Sequence, residues 1–187
     1  MTAVLTILLA VLLLALIARR LLSFPAQKPA DYAAAGPAFE LRRHLNGPLT
    51  CDGMIYGPTG RVTSRFSARM EGRWDGESGR LTEAFVYSTG SRQDRAWDLR
   101  IGNDGRFTAT AEDVIGEARG VISGATIRMT YRLRLPAEAG GHILSVTDWL
   151  YLSEGGVILN RSQLRKFGIK VAELFAVMRP AEGTKIG

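Results

Sequence analysis

The chain has 187 residues, of which 46% are hydrophobic, and a formal net charge of +6. One cysteine, Cys51, excludes an internal disulfide and a multi-cysteine metal site, and the basic residues are too scattered for a nucleic-acid-binding face. Because no nucleotide loop stands out and the two histidines lack a third metal ligand, no cofactor and no metal site are predicted.

The first element is an uncharged segment followed directly by Arg19 and Arg20. Eleven of the residues from Val4 to Ile17 are Leu, Ile or Val, which favours insertion in a bilayer. We therefore predict a transmembrane anchor at residues 1–22, with the lipid bilayer as its partner and the bacterial inner membrane as its location. A cleaved signal peptide is the competing interpretation, but no basic residue precedes the apolar run. The charges that follow the segment, including Lys28, favour a cytoplasmic domain.

Residues 23–37 contain three prolines and show no helical or strand periodicity. They are predicted to be a linker that lifts the following domain off the membrane. A β-barrel domain is expected over residues 38–180, followed by a disordered tail at 181–187. The domain is long enough to enclose a hydrophobic core.

Turn signals recur at short, even spacing through this domain, and each contains glycine. They occupy residues 57–60, 76–79, 89–90, 103–105, 123–124, 139–141 and 154–156. Seven turns imply at least eight strands joined as consecutive hairpins. The run from Gly116 to Gly120 is not a nucleotide loop, since no helix follows it, and is predicted to be a bulged or closely packed β segment.

Between the turns, apolar and polar residues alternate, as in strands with one buried face. Residues 62–74 and 125–135 show this most clearly, and residues 171–178 are predicted to form the closing strand. Because a meander of eight or more strands leaves exposed edges unless it closes, the predicted fold is an all-β antiparallel up-and-down barrel of lipocalin type. A two-sheet sandwich is the alternative.

Several charged residues lie in phase with the apolar face of their strand, where burial is costly unless they are paired. They are Glu83, Arg95, Asp113, Asp148 and Arg161. The simplest interpretation is a structural ion-pair network. Two functional interpretations remain open: a polar floor that orients a ligand in an apolar cavity, or an aspartate, Asp113 or Asp148, that acts as a general acid or base.

Five short motifs together resemble the family known as domain of unknown function 3833. They are Phe85-Val86-Tyr87, Arg95-Ala96-Trp97, Glu112-Asp113-Val114-Ile115-Gly116 with Gly120, Thr147-Asp148-Trp149-Leu150-Tyr151, and Asn160-Arg161-Ser162 with Lys166-Phe167-Gly168. The resemblance covers about Phe39 to Arg179 and implies a lipocalin-like barrel and a location in the Gram-negative envelope, which favours the periplasm. Many members resemble lipoproteins with a lipobox cysteine, which this chain lacks. The recurrent polar positions of the family correspond here to Arg95, Asp113, Asp148, Asn160, Arg161 and Lys166.

From these observations we predict a membrane-tethered barrel that binds an amphipathic small molecule such as a fatty acid. Arg95 or Arg161 is expected to meet an acidic head group, and Trp97, Tyr131 and Trp149 to line or close the cavity. The full set of predicted ligand-binding residues is Glu83, Arg95, Trp97, Asp113, Tyr131, Asp148, Trp149, Asn160, Arg161 and Lys166.

Two other functions remain open at this point. One is a lipid-modifying isomerase or hydrolase, and the other is a non-catalytic assembly factor with an unidentified protein partner. A cavity of about 300 Å³ or more is expected if a drug-sized ligand binds inside.

Overall fold

The computed structural model describes residues 2–181, except the side chains at positions 19 and 20, so most of the predicted disordered tail lies outside it. Two α-helices, three short 3-10 turns and ten β-strands make up this part of the chain. The helices are α1 (Thr2–Leu21) and α2 (Leu41–His44), and the 3-10 turns are Phe24–Ala26, Pro29–Tyr32 and Ala137–Ala139. The strands are β1 (Gly47–Tyr56), β2 (Val62–Asp75), β3 (Ser78–Tyr87), β4 (Arg92–Ile101), β5 (Arg106–Thr110), β6 (Ala118–Ser123), β7 (Thr126–Arg134), β8 (Ile143–Leu152), β9 (Ile158–Lys166) and β10 (Ile169–Pro180).

The ten strands form a closed antiparallel barrel in which each strand pairs with the next and β10 pairs with β1. This confirms the predicted all-β up-and-down barrel and the closing strand. Every predicted turn lies at a junction between consecutive strands. Two junctions were not predicted: the loop at residues 111–117, and the turn at Phe167 and Gly168 between β9 and β10.

Glycines opposite aromatic residues help the strands to curve into a barrel. Gly120 on β6 pairs with Phe107 on β5, and a Cβ atom on Gly120 would collide with the Phe107 ring. The same arrangement occurs for Gly53 with Phe66 and for Gly79 with Trp74. A ring that lies over a glycine fills the space of the missing side chain, an arrangement typical of strands that curve into a barrel. The prediction of a closely packed β segment holds at Gly120, whereas Gly116 lies in a loop with a φ of 73°.

Helix α2 closes the end of the barrel at which β1 begins, which we call the capped end. The side chains of Leu41 and Leu45 are buried and contribute to the interior. The Trp74 indole Nε1 donates a hydrogen bond of 2.8 Å to the carbonyl oxygen of Leu45, and Gly72 leaves room for the same backbone. The opposite end, where β1 ends and β2 begins, is called the upper rim.

Residues 24–35 lie against the outer face of the barrel, which corrects the prediction that residues 23–37 lift the domain away. The Tyr32 ring packs edge-on against Trp149, with 5.3 Å between ring centroids. The Tyr151 hydroxyl donates a 2.8 Å hydrogen bond to Gln27, and the Ser123 hydroxyl donates one of 2.6 Å to the carbonyl oxygen of Pro29. Because these contacts use aromatic and polar groups without periodicity, the sequence pattern gave no sign of them.

Helix α1 carries large apolar side chains that are exposed, such as Leu14 and Leu21. Within the described residues, no helix combines the length and apolar character needed to cross a bilayer. The transmembrane helix predicted within residues 1–22 is therefore not found among the described residues.

Candidate functional site

The barrel encloses a cavity of about 140 Å³ with mostly apolar walls. Its polar lining residues are Glu83, Arg95, Tyr131, Asp148, Asn160 and Ser162. The interior is therefore hollow, but it is smaller than the size expected for a drug-sized ligand. A cavity of roughly 150 Å³ is large enough to bind a benzene ring.

Arg95 is the centre of the polar cluster, and of the described cavity-lining residues it is the only cation. It lies directly opposite Glu83 in the pairing of β3 with β4, with 3.9 Å between Arg95 Nη1 and Glu83 Oε2. Its Nε donates a 3.0 Å hydrogen bond to Asp113 Oδ1, and its Nη2 lies 2.9 Å from the same oxygen. The guanidinium also lies over the Trp97 ring, 4.2 Å from the centroid.

Asp113 reaches Arg95 because β5 is short. The pairing of β4 with β5 ends at Thr110, so the edge of β4 beside Arg95 is free of a β5 partner. The loop at residues 111–117 crosses this gap, held by a β-bridge between Val114 and Leu133. The Arg134 amide also donates a 2.8 Å hydrogen bond to the carbonyl oxygen of Asp113. With a side chain that is 25% exposed, Asp113 places the ion pair near solvent at the upper rim.

Asp148 faces the same cavity from β8. Its register neighbours are Met129 on β7 and Ser162 on β9, so hydroxyl groups and apolar atoms surround it. Within the described residues, Asp148 Oδ1, Glu83 Oε2 and Arg95 Nη2 are buried and make no hydrogen bond. Buried polar atoms are normally hydrogen-bonded, so each of these exceptions calls for an explanation such as an ordered water, an ion, a catalytic role or a bound ligand.

Burial dominates the protonation of this cluster. Desolvation raises the pKa of Glu83 to about 7, although the positive charge of Arg95 opposes the shift. Desolvation also raises the pKa of Asp148, against the stabilising hydroxyls of Ser162 and Tyr131. Desolvation lowers the pKa of Arg95, but the interactions with Tyr131, Glu83 and Asp113 raise it by more. The pKa of Arg95 is therefore raised overall. The site therefore holds a permanent cation beside the Glu83 carboxyl group, which changes charge near neutral pH, and beside the Asp148 carboxyl group, whose pKa is also raised.

Stability should consequently fall as the pH rises through the range in which Glu83 ionises. Because its folded pKa is about 7 and its unfolded pKa is about 4.5, the folded protein holds an extra proton between these values. We expect Glu83→Gln to match the wild type in stability at about pH 4.5 and to exceed it by roughly 2–3 kcal/mol at about pH 8. Urea unfolding of both proteins across this range measures the difference, and a difference that does not grow with pH would contradict the assignment.

The structure brings most of the predicted site residues together. The cavity wall contains Glu83, Arg95, Trp97, Tyr131, Asp148 and Asn160, and Asp113 joins them at the upper rim. Their role in ligand binding remains a prediction. Asn160 also has a structural contact, because its Nδ2 donates a 3.1 Å hydrogen bond to the carbonyl oxygen of Trp149.

Three predicted residues lie outside the cavity. Trp149 points to the outer face, where Tyr32 covers it. Arg161 also points outwards and forms an ion pair of 2.6 Å with Glu173. Lys166 lies at the exposed end of β9, with its Nζ 3.0 Å from His142 Nδ1. Trp149 and Arg161 therefore do not line the cavity. Because the N-terminal segment buries part of the outer face, apolar residues occur there as they do on the inward face of the strands, and alternation alone does not separate the two faces.

Three parts of the site were not predicted from the sequence. Ser162 follows Asn160 at strand spacing and lies inside, a position that alternation alone indicates. Leu41 and Leu45 form the floor of the cavity, but a helix this short leaves no periodic signal. Cys51 also lines the cavity, and burial raises its pKa to about 12, so its thiol stays protonated and is a poor nucleophile.

Solved structures with a similar fold include the S-type phycobiliprotein lyase CPES from Guillardia theta. The two share 6% identity at a TM-score of 0.59, with 84% of this chain and 99% of that chain covered. Rv2717c from M. tuberculosis shares 16% identity at a TM-score of 0.55, with 79% and 99% covered. At these identities the likeness concerns the fold alone.

No curated protein matches the sequence. A family model does match: that of a protein of unknown function, DUF3833, which aligns with residues 18–180. This span includes the whole barrel, the covering N-terminal segment and every residue of the polar cluster. The chain therefore belongs to the DUF3833 family.

Proposed function

We propose that the barrel binds a small amphipathic molecule, with its apolar part in the cavity and its polar group at the Arg95 cluster. The observation that carries this proposal is the set of buried atoms without hydrogen-bond partners among the described residues. Glu83 Oε2 and Asp148 Oδ1 belong to cavity-lining side chains and have no such partner, whereas Arg95 Nη2, the third atom, lies 2.9 Å from Asp113 Oδ1 in an ion pair. Leaving such atoms unpaired costs about 1–3 kcal/mol each, and a bound polar group would recover much of that cost.

The cavity volume limits the apolar part of the ligand. At about 140 Å³, the cavity holds a group of roughly the size of a benzene ring. The full chain of a common fatty acid is larger, so most of it would extend beyond the enclosed space. The volume thus favours a small ring compound, or a larger molecule that inserts only one end.

Two measurements test this proposal on the full chain. Native mass spectrometry detects any small molecule that co-purifies with the protein. NMR titration with benzyl alcohol, a neutral molecule near the cavity size, should shift the methyl signals of Met70 and Met129, which line the cavity. If nothing co-purifies and benzyl alcohol leaves these signals unchanged, the binding proposal fails.

Filling the cavity provides a variant for the same test. Ala109 is buried in the cavity wall, and Ala109→Leu adds three carbon atoms to the interior. We expect benzyl alcohol affinity to fall at least tenfold, with a stability cost of about 1–3 kcal/mol from overpacking. Ser67→Leu on the outer face of β2 is the control and should bind as the wild type does. Ala176→Leu is a second cavity variant if Ala109→Leu does not fold.

Acid–base catalysis on such a ligand is the second candidate function. A buried carboxyl group with a pKa of about 7 faces the cavity at Glu83, and this is the property of a general acid or base at neutral pH. Asp148 is the second candidate because it also faces the cavity and burial raises its pKa, whereas Asp113 is held in its ion pair with Arg95. Glu83→Gln and Asp148→Asn should then abolish turnover of a bound compound while the protein still folds and binds it.

A further inference from the structure

The charges around the cavity are unbalanced. Two carboxyl groups of the cavity lining, Glu83 and Asp148, and that of Asp113 at the upper rim surround Arg95, which is the one cation among the described residues that line the cavity. We infer that the polar group of the ligand is a cationic amine rather than a carboxylate, an inference that rests on the proposed binding function. This reverses the head group expected from the sequence, where an arginine was predicted to meet an acid.

Arg95 has little capacity left for an anionic ligand. Its Nε and Nη2 both lie within 3.0 Å of Asp113 Oδ1, and its remaining terminal nitrogen faces Glu83 at 3.9 Å. One face of the guanidinium lies over Trp97. A ligand carboxylate would have to displace Asp113 or add another negative charge beside Glu83 and Asp148. Like charges at this range repel strongly in a buried site.

The free atoms of the cluster suit a donor instead. Glu83 Oε2 and Asp148 Oδ1 are buried carboxyl oxygens without hydrogen-bond partners in the described part of the chain. An ammonium group brings three donors and a positive charge, so it satisfies acceptors and offsets the excess of carboxylates. The Trp97 and Tyr131 rings, which meet edge to face at 5.3 Å, add polarisable aromatic surface beside the acids.

Amine binding should be coupled to proton release. Desolvation raises the pKa of Glu83 to about 7, and a bound cation would lower that pKa by favouring the carboxylate. The groups that interact electrostatically with Glu83 are Arg95, Asp113, Asp148, Tyr131, Tyr87 and Cys51. The affinity for an amine should therefore increase as the pH rises through about 7 and the carboxyl group ionises.

Three probes of nearly equal size distinguish the effect of ligand charge on affinity from the effect of ligand shape. They are benzylamine, benzyl alcohol and benzoate. We expect benzylamine to bind the full chain at least tenfold more tightly than benzoate at about pH 8, by NMR titration. The preference should shrink at about pH 5.5, where Glu83 is protonated. Glu83→Gln and Asp148→Asn should each weaken benzylamine binding about tenfold and leave benzyl alcohol within about threefold.

Glu71→Gln is the matched control, because Glu71 is an exposed carboxylate on β2 whose partner is Arg73. It should leave the affinities for all three probes unchanged. If benzoate binds as tightly as benzylamine or more tightly, the inference is overturned while the proposed binding function stands. If none of the probes binds, the proposed function itself fails. An unchanged benzylamine affinity in both carboxyl variants also overturns the inference.

Discussion

Replacing Arg95 with methionine is expected to destabilise the protein by about 3–5 kcal/mol at neutral pH. Asp113 would lose its ion pair of 2.9 Å, and Glu83 would lose the positive charge that opposes the rise of its pKa. Methionine fills a similar volume, so the loss reflects charge more than packing. Urea unfolding at about pH 7 measures the effect, and the loss should shrink at low pH, where the carboxyl groups are neutral.

The exposed ion pair of Arg80 with Asp98 provides the control for this experiment. Its two atoms are 2.6 Å apart, but the side chains are 58% and 59% exposed. Arg80→Met should therefore cost no more than about 1 kcal/mol. Adding Asp113→Asn to Arg95→Met should recover part of the stability, because it removes one of the uncompensated charges. Equal losses for Arg95→Met and Arg80→Met would show that the interior cluster is not electrostatically coupled.

Trp149→Ala should be the second severe substitution, with a loss of about 3–5 kcal/mol. The Trp149 side chain is only 1% exposed although it points away from the barrel interior, because Tyr32 and Tyr151 pack against it. Removing the indole would take away one of the two aromatic rings against which Tyr32 packs. We therefore expect faster hydrogen exchange over residues 24–35, in addition to the stability loss in urea.

A substitution of Phe167 is the control for Trp149→Ala. Phe167 is also aromatic, but it is 93% exposed at the turn between β9 and β10. Phe167→Ala should change stability by no more than about 0.5 kcal/mol and leave the hydrogen exchange of residues 24–35 unaltered. If Trp149→Ala were equally mild, the N-terminal segment would contribute little to the stability of the barrel.

The barrel was predictable because its physical causes are local. Alternation of apolar and polar residues follows from strand geometry, and a glycine marks each predicted turn. The loop at residues 111–117 escaped notice because the spacing of Phe107, Ala109, Ala111 and Asp113 continues the strand pattern beyond the end of β5. Asp113 was nevertheless expected on the inner side, and it reaches Arg95 from a loop rather than from a strand.

Other parts of the site depend on contacts that the alternation of apolar and polar residues does not predict. The outward position of Arg161 follows from the burial of the outer face near Trp149, and that burial depends on a segment without any regular pattern. The pairing of Glu83 with Arg95 follows from the register of β3 and β4, which alternation alone does not specify to one residue. The cavity volume depends on how the side chains interdigitate, which only the assembled barrel shows.

Asp113, the residue that occupies the Arg95 guanidinium, lies on a loop and not on a barrel strand. Arg95, Glu83 and Asp148 lie on paired strands, so their backbones are fixed by the closed ladder of hydrogen bonds. The loop that carries Asp113 is joined to the sheet mainly through Val114 and Arg134. Under the proposed binding function, a change at this one position would free the guanidinium to meet an anionic group without disturbing a strand.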